Sequence, residues 1–486
     1  MRRSIIALPA AALLVASSYA AAPAQASTPS TPGSFGAISA TAGPNLGEIT
    51  FSWTQDGSNT TSFHLETALT RFSTSGSTTL PRYGRNHKVL TISPSVRKLT
   101  LSAAQVLADG APTPSGNTLY YRFQALDTDA SGATTVRNDA GLKAALPQAQ
   151  APATVGAKLR IASFNVRTAR ATTDTRTWLE RAPDVAKTIV AHDPGVVGLQ
   201  ELGPGRADGV TGTLDGHERQ TDSLIRELGN ASGQKYKLVR TTPYVQSGTL
   251  SGTQGMRILY DTQRYTQLSS CPDKTGTSSY SSSCSIVTPL LSGDSESLRR
   301  RAAYAEFQDK SSGKKFFFVS VHLDTRHSDT TSTDATYSAL RKSQVDAVTK
   351  AVDAINPDKV PVVLGGDFNS WQNVRGGNDP HDTLITQGFY DTAAALQRVN
   401  FKYTTMNAFA TTLYADSQGV GTRLDMLFVK GAPGASYFEN SMLVTDSARP
   451  SDHNMIVADT VLGSSTTTAS DPWSTASVTP RTTTRR

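Results

Sequence analysis

Asn165, Glu201, His322, Asp367, Asn369, Asp425, Asp452 and His453 are carboxylates, amides and imidazoles, and each falls at or beside one end of an apolar, strand-like run. A core strand gains nothing from a terminal carboxylate or imidazole, so one shared pocket accounts for them better than six separate coincidences. Oxygen donors of this kind suit a hard divalent cation, and a histidine, with an ordinary pKa of about 6.5, suits proton transfer near neutral pH. Such a set has the parts that cleavage of a phosphate ester needs: charge against the phosphoryl oxygens, a base for water, and a group to stabilise the leaving oxygen. Taken singly the residues say less. His322 alone reads as a core histidine, Asp425 as an ion-pair partner of Arg423, and Asp452-His453 as a cap.

The elements that must hold these groups are legible around them. In VPVVLGGDFNS (360–370), Val360, Val362, Val363 and Leu364 predict a buried strand, ended by two glycines, with Asp367 and Asn369 at its exit. Strand alternation would turn both polar groups to one side and Phe368 into the core. LRIASFNV (159–166) brings Asn165, GVVGLQEL (195–202) brings Gln200 and Glu201, and KFFFVSVHL (315–323) brings His322. RLDMLFV (423–429) brings Asp425, SDHNMIVAD (451–459) brings Asp452 and His453, and RILY (257–260) and AYAEF (303–307) are further strands. A helix is expected from about Ala182, with Pro183 in its first turn and Pro194 as its stop. The spacing of Tyr337, Leu340, Val345, Val348, Val352 and Ile355 predicts a second, ended by Asn356-Pro357.

The chain has 486 residues, 37% of them hydrophobic, enough for more than one domain. Arg2 and Arg3, the apolar run 5–15 and Ala24-Gln25-Ala26 read as a secretory signal over residues 1–26, so the protein is expected to be secreted and extracellular. Residues 27–33 are a linker, and residues 34–147 alternate polar and apolar runs as an all-β sandwich does, resembling a fibronectin type III domain. A second linker covers 148–157, the site-bearing region 158–462, and a Ser/Thr-rich tail expected to be disordered 463–486. In an exported chain the two cysteines, Cys271 and Cys284, are expected to bond to each other. The net charge of +7 and the cluster Arg299-Arg300-Arg301 suit an anionic partner. No P-loop, G-x-S-x-G or H-E-x-x-H occurs, so NTPase, α/β-hydrolase and zincin chemistries lack support.

FNV, QE, SVHL, GDFNS, RLD and SDH, in that order, resemble the endonuclease/exonuclease/phosphatase superfamily with its DNase-I-like fold. The resemblance spans residues 158–462 and implies an α/β chain built as a four-layer α/β/β/α sandwich, with the site at one edge of the two sheets. It implies Glu201 as the first metal ligand, assisted by Asn165 and Asp452, with Mg²⁺ as cofactor and Ca²⁺ or Mn²⁺ as the other candidates. His453 would be the general base, oriented by Asp425, and Asp367 would handle the proton of the water or leaving group. Asn369 would contact phosphate, His322 would contact it or act as a catalytic acid, and Arg300 would clamp it. One departure concerns a glutamate that one branch of the family pairs with the histidine matching His322: residues 242–257 contain no acid, and Gln254 stands about there. The expected activity is hydrolysis of nucleic-acid phosphodiester bonds by a monomer. A lipid phosphodiesterase of the sphingomyelinase kind or a phosphomonoesterase is the enzyme alternative, although no aromatic-apolar hairpin suited to entering a bilayer stands out and no stable membrane insertion is expected. A surface-binding protein with an idle hydrolase domain is the alternative of another class, with the β-sandwich touching an extracellular polymer.

Overall fold

The structure, a computed structural model, describes residues 34–463 apart from 57–59, 75–82, 107–117, 172–173, 213–215, 240–254, 272–283 and 373–377. The signal segment 1–26, the linker 27–33, Gln254 and the tail from residue 464 lie outside the described residues. The first strands are β1 (Ser34–Ala42), β2 (Ile49–Asp56), β3 (Ser62–Ala68), β4 (Lys88–Ile92), β5 (Lys98–Leu101), β6 (Leu119–Thr128) and β7 (Thr134–Ala145). They form two sheets, β1-β2-β5 and β4-β3-β6-β7, closed over Phe51, Trp53, Phe63 and Phe123. Two of the four edge strands, β1 and β7, were not apparent from patterning. Small side chains in one and a mostly exposed surface in the other give neither an apolar alternation.

Next come β8 (Ala157–Asn165), β9 (Val196–Gln200), β10 (Tyr236–Val239), β11 (Arg257–Asp261), β12 (Tyr265–Gln267), β13 (Ser285–Val287) and β14 (Arg301–Asp309). Then follow β15 (Lys315–His322), β16 (Val362–Asp367), β17 (Tyr390–Asp391), β18 (Gln397–Val399), β19 (Asp425–Lys430), β20 (Tyr437–Ser441) and β21 (Met455–Leu462). One sheet runs β10-β11-β9-β8-β21-β20-β18, the other β12-β14-β15-β16-β19-β17 with β13 beside β14. Their inner faces meet through Ile161, Val196 and Ile258 on one side and Ala305, Phe318, Val363 and Leu427 on the other. Helices α1 (Trp178–His192) and α2 (Gln220–Ser232) cover the first sheet, with Trp178, Val185 and Leu224 against Leu199 and Val457. Helices α3 (Thr331–Ile355) and α4 (Asp379–Thr386) cover the second, with Val345, Val348 and Leu384 against Val319 and Leu364. Two sheets face to face with helices outside make the four-layer sandwich that the motif order implied. No helix among the described residues is long and apolar enough to cross a membrane.

Three local expectations need correction. Helix α1 starts at Trp178, because Thr177 and Glu180 form a capping box, so Pro183 lies inside the helix. Helix α3 starts at Thr331, where a polar first turn carries no apolar spacing to reveal it. Gly365 and Gly366 do not end the strand before Asp367; both lie within β16. They are there because neighbours are close: a Cβ on Gly366 would sit 2.0 Å from the Val321 carbonyl oxygen, and one on Gly365 2.5 Å from Leu427 Cδ2. Backbone cannot yield as a flexible side chain can. Gly366→Ala is therefore expected to cost about 3 kcal/mol, at the upper end of overpacking penalties, read as a lower urea midpoint at unchanged slope.

Cys271 and Cys284 are bonded to each other, 13 residues apart, and Cys271 packs against the core between the sheets. Replacing both by serine is expected to lower unfolding free energy by about 3 kcal/mol at most, as loop-closure entropy predicts, measured by denaturant titration.

Candidate active site

Strand register brings the site together. β15 pairs with β16 in parallel so that His322 lies beside Asp367, and β16 pairs with β19 so that Asp367 lies beside Asp425. In the facing sheet β8 and β9 end together with Asn165 beside Gln200, and Glu201 follows. The two strand ends are tied beneath the site by buried Gln200, whose Oε1 accepts from Ser163 Oγ at 3.3 Å while its Nε2 donates to Ser320 Oγ at 3.1 Å. Asp452 and His453 enter from the segment before β21.

The contacts cross from sheet to sheet. Asn165 Nδ2 donates to Glu201 Oε1 at 3.2 Å and to Asp367 Oδ2 at 3.1 Å. The second Glu201 oxygen accepts from the Thr168 amide at 3.0 Å. Asp367 Oδ2 also lies 3.5 Å from His322 Nε2 and 3.7 Å from His453 Nε2. On the other side of its ring, His453 Nδ1 is 2.8 Å from Asp425 Oδ2. Asn369 is held by a turn rather than by strand alternation. Its φ is 46°, its amide donates to Asp367 Oδ1 at 2.9 Å, and its side chain donates to the Leu323 carbonyl at 3.1 Å. His327 packs against Trp371 at a tilt of 50° and meets the Asn369 carbonyl at 2.9 Å. Phe368, as expected, is buried in the outer core. Arg167, Glu201 and Asn369 all have left-handed backbones, strain of a kind that gathers where geometry is fixed for function.

The two imidazoles are pushed in opposite directions. Burial, with Arg300 beside it, lowers His322 to about 4 against the pull of Asp367 and Glu201, so it is neutral at pH 7. Burial also acts to lower His453, but Asp425 and Asp367 outweigh it and raise the ring well above its ordinary value. Glu201 is held down to about 2: burial opposes, and the charges of His322 and Arg167 with hydrogen bonds from Thr168 and Asn165 prevail. Since His322 is neutral above about 4, Arg167 and the hydrogen bonds hold that charge at neutral pH. Asp452 is raised by burial and by the charge of Glu201, against the nearby His453 and Arg167. Two titratable pairs driven apart in one pocket are the signature of acid–base work.

All eight residues meet in this pocket. Asn165, however, turns its amide nitrogen to the carboxylates, and its carbonyl oxygen accepts from the Arg167 amide at 3.1 Å. Arg300 lies half-buried beside them, donating to Thr325 Oγ1 at 3.4 Å, with Asp324, Glu201 and Asp367 opposing the lowering that burial imposes. Its neighbours do not join it in a basic patch. Arg299 pairs with Glu296 at 2.6 Å and donates to the Thr288 carbonyl at 2.8 Å, and Arg301 is buried in β14. Asp425 is not the partner of Arg423, which pairs instead with Asp391 at 2.8 Å. Sequence reasoning missed Arg167, which reaches Asp452 at 3.3 Å, and Arg181, whose guanidinium ties the carbonyls of Val166 and Pro450 and so holds both flanks of the site. A basic residue after a strand carries no signal of its own. Also unforeseen is an apolar edge. Tyr414, Leu443 and Val444 are 85%, 68% and 43% exposed on two loops joined by a Leu413-to-Val444 hydrogen bond of 2.9 Å and the Thr412–Thr445 bridge.

The donor chemistry fits a divalent cation. Donor atoms of Asp367, Asp425 and His453 lie within 4.8 Å of one another, but His453 Nδ1 is committed to Asp425, so that nitrogen is taken up by the carboxylate. Glu201 and Asp452 repel each other across the pocket, and such carboxylate oxygens suit a hard ion.

The family model for the endonuclease/exonuclease/phosphatase family matches residues 162–453. Among solved structures, an endonuclease/exonuclease/phosphatase family protein from Bacteroides thetaiotaomicron is similar at 19% identity over 64% of this chain and 99% of that one, with a TM-score of 0.44. A mannosyl-6-phosphatase from the same organism is similar at 20% identity, over 62% and 98% of the two chains, with a TM-score of 0.41. D. rerio TDP2 complexed with a single-strand DNA product is similar at 18% identity, over 62% and 98%, with a TM-score of 0.40. No curated protein matches.

Proposed function

Because the chain belongs to the endonuclease/exonuclease/phosphatase family, whose members hydrolyse phosphate esters, we propose that it is a secreted, Mg²⁺-dependent phosphodiesterase acting on nucleic acid. The observation that carries the hydrolytic reading is the His453–Asp425 pair, 2.8 Å apart, opening toward Asp367 and facing Glu201 across the sheets. His453 Nε2 takes the proton of the attacking water, and Asp425 holds the ring and supports the charge that forms. As the water oxygen bonds to phosphorus, the bond to the leaving oxygen breaks, and a water on Asp367 supplies that oxygen's proton, its hydroxide later taking back the proton held by His453, while neutral His322 donates a hydrogen bond to the phosphate. Asn369 and Arg300 hold the phosphoryl oxygens. A divalent ion held by Glu201 with Asp452 would supply positive charge against those oxygens and offset the carboxylate field on His453. The net charge of +7 and the signal segment favour an extracellular polyanion as substrate.

A lipid phosphodiesterase is the second reading, and the exposed edge of Tyr414, Leu443 and Val444 is what favours it. One panel separates the two: plasmid DNA, RNA, sphingomyelin vesicles and a phosphomonoester, each with Mg²⁺ or EDTA, with wild type and His453→Ala. DNA or RNA cleavage needing both the metal and His453 is expected. Sphingomyelin turnover with intact nucleic acid would transfer the assignment to lipid, and silence on all four would sink the enzyme reading.

A further inference from the structure

A chain of polar contacts unused by the chemistry, buried at its centre, links the N-terminal sandwich to the strand that carries Asp425. Arg85, on the sandwich, pairs with Asp382 of α4. The other Asp382 oxygen lies 3.1 Å from His381 Nδ1, and His381 Nε2 lies 3.1 Å from Asp391 Oδ2. Asp391 takes the Arg423 guanidinium two-pronged, at 2.8 and 3.2 Å. Arg423 stands two residues before Asp425. His381 and Asp391 are wholly buried and Arg423 is 5% exposed, so the inner part of the network is shielded from water, while the Arg85–Asp382 pair at its outer end is partly exposed. A buried network of this kind is specific in geometry and costly to leave half-made.

A second arm reaches the same place. Arg71, on the same side of the sandwich, pairs with Asp416. Asp416 belongs to the loop 401–421, whose ends are closed by the hydrogen bond from Gly421 N to the Phe401 carbonyl. From that loop Thr405 Oγ1 accepts from the amides of Leu424 and Asp425 at 3.0 and 3.2 Å. Asn454 donates to the Thr405 carbonyl and Asn407 to the Asp452 carbonyl, both at 2.7 Å, so the loop is laced to both halves of the His453–Asp425 pair. The connection between sandwich and catalytic layers is itself packed. Ala144 and Leu146 join the core between the sheets, and the Gln150 amide donates at 2.9 Å to the hydroxyl of Tyr390, the residue before Asp391.

We propose that the N-terminal sandwich is a working part of the active centre, with Arg71 and Arg85 as positioning residues that fix Asp425, and through it His453, from outside the catalytic layers. The inference rests on the phosphodiesterase reading only for its kinetic consequence. Small displacements of a base and its orienting acid are expensive in rate, and substrate contacts at Asn369 and Arg300 lie on other segments. The sandwich therefore sets kcat and leaves KM alone.

The test uses the full chain, with Arg71→Ala/Arg85→Ala, Arg85→Lys, Arg71→Asp, and the swap Arg71→Asp/Asp416→Arg. In the double alanine variant, amide hydrogen exchange over 401–425 is expected to speed about tenfold while β15 and β16 keep their protection. On bis(p-nitrophenyl) phosphate with Mg²⁺, its kcat is expected to fall about tenfold to a hundredfold at unchanged KM. Arg85→Lys should retain most of the activity, and the swap should restore what Arg71→Asp loses, which general destabilisation would not allow. Wild-type protection over 401–425 in the double variant, or failure of the swap, overturns the inference. A wild type that cleaves no phosphodiester would instead overturn the proposed function, and the exchange measurement would still decide the coupling.

Discussion

His453→Ala is expected to lower kcat on a phosphodiester by roughly 10²- to 10⁴-fold, the usual yield of a positioned acid–base group, with KM little changed. The ring sits where a base must, with Nδ1 on Asp425 and Nε2 toward the shared pocket, and alanine removes both ends of that arrangement. Asp425→Asn should cost nearly as much, and the double variant scarcely more than either single one, because the two residues act as a unit. The direction of the His453 shift adds a pH signature. A base must be deprotonated to act, and Asp425 and Asp367 raise this ring well above its ordinary value. The wild-type kcat/KM should therefore climb with pH on a limb that His453→Ala lacks. Stability carries the opposite sign in the ligand-free protein. A raised folded pKa means the folded state holds its proton more tightly, so this contribution is full below about 6.5 and fades as pH rises through the folded value. Thermal melts across that range should show the slope in wild type and not in His453→Ala. A variant that keeps its activity and the wild-type pH limb would place the base elsewhere.

What could be read from the sequence follows from what each feature needs. Asp367 and His322 sit at the exits of apolar runs and Asp425 at the entry to one, and parallel and antiparallel register between adjacent strands then makes them neighbours, so identity and place were legible together. Asn369 lies beside Asp367, though not by the route that alternation implies. Alternation would have turned it there, whereas a left-handed turn capped by Asp367 does so. Arg181 was invisible because a helix arginine gives no hint that its guanidinium will gather two carbonyls from distant loops. The Arg299-Arg300-Arg301 run misled in the opposite sense: Arg299 closes a short 3₁₀ turn and pairs back to Glu296, while Arg301 opens β14 and is buried there, so three basic neighbours do not make one patch. Likewise Asp425 and Arg423 are close in sequence, yet Arg423 turns to Asp391 and leaves Asp425 for His453. Tertiary geometry decided each case that spacing left open.

Glu201→Gln is expected to cost roughly 10³-fold in kcat, equivalent to about 4 kcal/mol of transition-state charge stabilisation. Glutamine keeps the length of the side chain and can still accept from the Thr168 amide, so the substitution removes charge with little change of shape. Wild-type Glu201 is held down to about 2, hence ionised wherever the protein would work, and protons do not compete there for a cation. The readout that separates metal binding from catalysis is stability. A ligand present at about 100 times its Kd stabilises the folded state by about 2.7 kcal/mol, so Mg²⁺ should raise the melting temperature of wild type and fail to raise that of Glu201→Gln. With the charge of Glu201 gone, burial and Asp174 would still raise Asp452 against His453 and Arg167, but less strongly, so its pKa should fall toward the ordinary range. The rival placement is the group of Asp367, Asp425 and His453, whose donor atoms lie within 4.8 Å of one another. Asp425→Asn discriminates between the two. If it abolishes the Mg²⁺-induced shift while Glu201→Gln preserves it, the cation belongs among the histidine and its aspartates, and Glu201 is left as an acceptor for Asn165 and Thr168.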